Sequence, residues 1–135
     1  MTKRIALITS GGDAPGMNAA IRAVTLQAEK FQYQVLGFVG GYNGLIENHF
    51  IELNRHRVDD IVRKGGTILK SARCKAMLSD VAPNSVVETL KVNKIDALIV
   101  IGGDGSFKGC QAISKLWQGN IIGIPGTIDN DINGT

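Results

Sequence analysis

Apolar residues follow two rhythms along this chain, and the rhythms alternate. Short apolar runs occupy Ile5 to Thr9, Gln34 to Val39, Ala97 to Ile101 and Ile121 to Ile124. Runs of this length, bounded by turn formers, predict strands buried beneath helices on both sheet faces. Between them apolar positions recur at helical spacing, first at Met17, Ala20, Ile21, Val24 and Ala28. Ser85 and Glu88 have capping-box spacing ahead of Val86, Val87 and Leu90, which predicts a helix to about Lys94. Cys110, Ile113, Leu116 and Trp117 mark another helix, and Val58 to Arg63 a short one ending at Gly65-Gly66. The segment from Gly40 to Leu53 has no clear period, although Phe50 to Leu53 reads as a short strand. Alternating strands and helices predict an α/β fold, an open, mostly parallel sheet with helices on both faces and right-handed crossovers.

Such sheets bind ligands beyond the carboxyl ends of their strands, and three glycine-rich motifs stand there. Ser10-Gly11-Gly12-Asp13-Ala14-Pro15-Gly16-Met17-Asn18 joins the first strand to the first helix. Glycines let amide groups face a phosphate at a helix N-terminus, or simply make a tight turn. Gly102-Gly103-Asp104-Gly105-Ser106 follows another predicted strand. A carboxylate at Asp104 repels bare phosphate but suits phosphate with Mg²⁺ between them. The competing reading makes Asp104 a helix cap, a role that Ser106 can fill instead. Pro125-Gly126-Thr127-Ile128-Asp129-Asn130-Asp131 places two carboxylates at i and i+2, on one side of extended backbone at the end of a predicted buried strand. One can take a proton as a general base, here Asp129, while Thr127 offers its hydroxyl and N–H to phosphate. The alternative is a solvated acidic turn. Arg73, after Gly65-Gly66-Thr67, is either a phosphate clamp or a surface arginine.

Composition narrows this picture. Fifteen Lys and Arg against twelve Asp and Glu leave a scattered excess of +3, which argues against nucleic acid as partner. No secretory hydrophobic core follows Met1, no apolar run is long enough for a bilayer, and the two cysteines lack metal-site spacing. A reducing cytoplasm is the expected compartment. His49 and His56 have no ligand spacing and receive no role.

Taken together, GGDAPGMNA from Gly11, GGT-x-L-x-SAR from Gly65, IGGDGS from Ile101 and PGTIDND from Pro125 resemble ATP-dependent 6-phosphofructokinase of the bacterial type. The resemblance runs nearly end to end. It implies a Rossmann-like N-terminal, ATP-binding portion over 1–135, with the C-terminal part of the family's fold absent and the sheet left with an uncovered edge. It implies phosphoryl transfer from MgATP to the 1-hydroxyl of fructose 6-phosphate. By position, Asp129 matches the general base, and Thr127, Ile128, Asp129 and Asp131 match the substrate site. Gly11, Arg73, Cys74, Gly103, Asp104, Gly105 and Ser106 match the ATP site, with Asp104 on Mg²⁺. Arg22, Arg55 and Asp60 match an allosteric site for an ADP- or phosphoenolpyruvate-type effector. A full-length member is expected to be a homotetramer.

Gly105 and Gly126 favour ATP over pyrophosphate, because relatives that use pyrophosphate typically carry Asp and Lys there. Three positions depart from the family pattern: Lys70 replaces a usual Gly, Cys74 a frequent Phe, and Leu26 an effector-binding Arg. The rival readings are a nucleotide-binding module without catalysis, a pyrophosphate-dependent enzyme, and another GGDG-type small-molecule kinase.

Overall fold

The computed structural model describes residues 3–11, 16–71 and 82–126. Strand β1 (Arg4–Thr9) leads to helix α1 (Met17–Lys30), and β2 (Gln34–Phe38) to α2 (Tyr42–Glu47). Strand β3 (Phe50–Leu53), helix α3 (Arg55–Val58) and a 3₁₀ turn (Ile61–Arg63) come next. Helix α4 (Ala82–Val92), β4 (Ala97–Gly102), α5 (Asp104–Ser114) and β5 (Asn120–Pro125) complete the series. The sheet runs β3-β2-β1-β4-β5, parallel except for the antiparallel β2–β3 pair.

Two apolar layers sandwich the sheet. Leu7, Val35, Ile99 and Ile101 pack against Met17, Ile21 and Ala28 of α1, Val58 of α3 and Ile61. Ala6, Ile8, Leu98 and Val100 pack on the other face against α2, α4 and α5 through Tyr42, Leu45, Val86, Leu90 and Ile113. Residues that alternate along β1 and β4 thus feed different layers, as strand geometry requires. Both layers being covered explains why these strands read as continuous apolar runs.

Several boundaries differ from the sequence-based expectation. Val58 to Arg63 is not one helix, because α3 ends at Val58 and a separate 3₁₀ turn begins at Ile61. Helix α4 starts at Ala82, so Ser85 is inside the helix and its carbonyl accepts the Thr89 hydroxyl at 3.2 Å. Pro83 in the first turn forfeits no intrahelical bond there, which permits the earlier start. The same helix stops at Val92, where Lys94 turns left-handed at φ 54°. The Ile95 and Lys94 amides then donate to Leu90 and Lys91 at 2.9 and 3.0 Å, a Schellman closure made without glycine. Helix α5 ends at Ser114, so Trp117 is buried beyond it and Leu116 is 45% exposed. Strand β5 was expected to be buried. It is instead a sheet edge among the described residues, with Ile122 half exposed.

Candidate functional site

Two strand-to-helix turns meet at the carboxyl end of the sheet. β1 and β4 pair in parallel with Thr9 opposite Ile101, and the Ser10 amide donates to the Ile101 carbonyl at 2.9 Å. Strands β2 and β3 lie on one side of β1 and strands β4 and β5 on the other, so the β1–β4 junction is where the strand order reverses. On its far side the Gly126 amide donates to the Gly102 carbonyl at 2.9 Å. Gly126 is therefore held next to the Gly102-Gly103-Asp104 turn.

Two helices begin here without side-chain caps. Gly16 precedes α1 at φ 89°, and Gly103 precedes α5 in extended backbone. Neither cap position supplies a side-chain acceptor to the first-turn amides, the groups that a helix start can offer to an anion. This corrects both capping alternatives read from the sequence. Asp104 and Ser106 stand inside the first turn of α5, and neither caps it. The exposed Asp104 carboxylate lies 3.5 Å from the Lys108 ammonium. Ser106 is only 5% exposed, and its Oγ has no hydrogen-bond partner among the described residues.

The glycines explain how the turns approach so closely. A Cβ at Gly102 would lie 2.5 Å from Ser106 Oγ and 2.8 Å from the Ser10 carbonyl oxygen. A Cβ at Gly11, where φ is 82°, would lie 3.4 Å from the same Oγ. At Gly105 a Cβ would meet nothing within 4 Å among the described residues. The Ser106 hydroxyl, in the turn that also carries Gly103, Asp104 and Gly105, thus stands against Gly11. One accessible carboxylate suits a magnesium ion held mainly by phosphate oxygens and water. Among the described residues no group of three or more His, Cys, Asp or Glu could hold a metal by itself.

A third segment joins this end of β1. The Thr9 hydroxyl contacts the Thr67 hydroxyl at 3.0 Å and donates to the Lys70 carbonyl at 3.1 Å. Asn18 of α1 donates to the Lys64 and Gly66 carbonyls at 3.3 and 2.7 Å and accepts the Ile68 amide at 2.9 Å. These ties over some fifty residues are invisible to periodicity. The only hint is that Asn18, Thr9 and Thr67 are polar residues flanking glycine-rich turns.

Lys70, noted as a departure from the family's glycine, sits at φ 58°. The left-handed region strains an L side chain by about 1–2 kcal/mol, while glycine loses more chain entropy on folding. Lys70→Gly is therefore expected to stabilise the chain by about 0.5–1 kcal/mol, read as a higher urea midpoint.

The remaining expected residues divide into two groups. Arg73, Cys74, Thr127, Ile128, Asp129 and Asp131 lie outside the described residues. Arg22, Arg55 and Asp60 belong to α1, α3 and the residue before the 3₁₀ turn, elements packed together on one sheet face. Asp60 pairs with Arg63 at 3.6 Å and Arg55 with Glu29 at 3.5 Å, both on the surface. Arg55 lines a cleft of about 970 Å³ together with Arg4, Glu29, Lys94 and Asp96. That cleft lies at the amino ends of the parallel strands, the end opposite the two turns. Away from both places, burial pushes the Cys110 thiol above its usual range, partly offset by the Tyr42 hydroxyl at 3.5 Å. Among the described residues no helix is long and apolar enough to cross a membrane.

Comparison with known proteins identifies the family. The family model described as Phosphofructokinase matches residues 4–135. ATP-dependent 6-phosphofructokinases of Thermoanaerobacter sp. (strain X514) and Clostridium botulinum (strain Hall) are 53% and 51% identical over 130 residues. Each match covers 96% of this chain and 40% of the relative, so the chain spans well under half the length of these curated relatives. Among solved structures, Pichia pastoris phosphofructokinase in the T-state superimposes with a TM-score of 0.93 at 39% identity. That match covers 100% of this chain and 16% of the Pichia chain. A pyrophosphate-dependent phosphofructokinase from Marinobacter aquaeolei shares the fold at 23% identity and a TM-score of 0.87, over 98% of this chain and 36% of its own. With a family match that extends over nearly every residue and relatives above half identity, the chain belongs to the phosphofructokinase family.

Proposed function

We propose that this chain forms the nucleotide-phosphate side of a site that transfers a phosphoryl group from MgATP to the 1-hydroxyl of fructose 6-phosphate. The observation that carries the reading is the buried, unpartnered Ser106 hydroxyl at the uncapped start of α5, against Gly11 and beside the open space at Gly105. A buried hydroxyl without a partner costs about 1–3 kcal/mol, and a phosphate oxygen would relieve that cost. Catalysis in this class is mainly positioning and charge stabilisation.

In this reading the Gly11 amide, the first-turn amides of α5 and Ser106 bind the phosphate chain. Asp104 would help hold the metal. A magnesium ion bound with the nucleotide offsets phosphate charge and fixes its oxygens. Asp129 takes the proton from the 1-hydroxyl, whose oxygen then bonds to the γ-phosphorus as the bond to the ADP oxygen breaks. Thr127, Ile128 and Asp131 hold the sugar phosphate, while Arg73 and Cys74 extend the ATP contacts. The wider reading includes effector control through Arg22, Arg55 and Asp60, a homotetrameric full-length protein, and a cytoplasmic setting.

ATP is favoured over pyrophosphate by the space at Gly105 and by relatives above half identity that are named ATP-dependent. The second reading is nucleotide binding without turnover. Calorimetry with MgATP followed by a coupled kinase assay separates them, because binding without turnover is the second reading's signature. Ser106→Ala is expected to raise the unfolding free energy by about 1 kcal/mol and weaken MgATP binding about tenfold. Unchanged affinity would remove the main support for the site.

A further inference from the structure

We propose that Asn18 is the positioning residue of this site, holding the 64–71 loop so that the Ser71 hydroxyl becomes a second phosphate contact. The inference rests on the nucleotide reading above. Asn18 is 6% exposed at the second position of α1. Its amide nitrogen holds two loop carbonyls and its oxygen one loop amide. That is three of its four hydrogen-bonding positions given to one loop. An asparagine early in a helix normally turns to its own backbone. Here α1 receives no side-chain cap, and Asn18 holds a loop some fifty residues away in sequence.

The loop's other end is tied to β1. The bond from Thr9 Oγ1 to the Lys70 carbonyl sets Ser71 next to the strand end that becomes Gly11. Among the described residues only two buried side-chain oxygens or nitrogens lack a hydrogen-bond partner, and they are Ser71 Oγ and Ser106 Oγ. One is carried by the loop that Asn18 closes, and the other is against Gly11 on the opposite turn. Two orphan hydroxyls on the two segments bordering one glycine turn are what an acceptor-rich, donor-poor ligand such as phosphate requires. Releasing Asn18 frees the loop and removes one of them from place.

The test combines amide exchange with calorimetry on the whole chain, using MgATP as probe. Asn18→Asp keeps the acceptor for Ile68 and sets a carboxylate against two carbonyls. Asn18→Ser, which adds no charge, is measured beside it as a safeguard against misfolding. The expected result is faster exchange over 64–71 with the β1 and β4 amides still protected. MgATP affinity should fall about tenfold in Asn18→Asp and in Ser71→Ala, the loss of one hydrogen bond to a charged group. The double variant should be no weaker than Asn18→Asp alone, because the two residues act as one unit. Losses that multiply in the double variant, or affinity unchanged in either single variant, overturn the inference while leaving the nucleotide reading intact. A wild-type chain that binds no MgATP overturns both.

Discussion

Asp129→Ser is expected to lower turnover by a factor of about 10²–10⁴, the usual share of a general base, while leaving MgATP affinity nearly unchanged. The assay needs a polypeptide that spans the relatives' length and carries this sequence. Strand β5 is followed by Gly126, whose amide donates to the Gly102 carbonyl. Three residues on, the sequence provides a carboxylate with a second one at Asp131. Serine leaves room for the sugar and removes the proton acceptor. The pattern that marks a base is therefore low kcat with nucleotide binding preserved. Parallel loss of binding and turnover would mean that Asp129 holds the ligand instead.

The other large effect is expected at Gly105. Gly105→Asp should fold, since a Cβ there meets nothing within 4 Å. It should also add a negative charge in the first turn of α5, beside Asp104 and the proposed phosphates. Like charges about 4 Å apart in a partly dry site repel by roughly 4 kcal/mol, which corresponds to about a thousandfold loss of MgATP affinity. The helix itself gains slightly, because a carboxylate suits its N-terminal end. A melting temperature that holds or rises while calorimetric binding disappears is the expected outcome. Loss of fold and binding together would reveal a packing role for this glycine that the open space does not suggest.

The elements most legible in the sequence are those whose burial leaves a periodic trace. The apolar runs of β1 and β4 and the Met17–Ile21–Ala28 stripe of α1 were readable because both faces of the sheet are covered. Helix ends were less legible. Gln32 and Lys94 reverse the chain after α1 and α4 at φ 59° and 54°, places where glycine would have announced the turn. Helix α2 was missed because Gly41, Gly44 and Asn48 look like loop, although Leu45 and Tyr42 bury its inner face. The two strand-to-helix turns were visible as glycine motifs, yet which residue caps, which stays exposed and which is buried without a partner among the described residues was not.

The order of residues alone determined the alternation of strands and helices, the glycine turns at their ends and the family to which the chain belongs. Each is a local pattern of size, polarity and backbone freedom. Only the tertiary structure decided that β5 is an edge, that Ser106 is buried beside Gly11, and that Asn18 closes a loop near β1. Those facts depend on which strands become neighbours. Burial and hydrogen-bond satisfaction belong to groups brought together from distant parts of the chain, so no window along the sequence contains them.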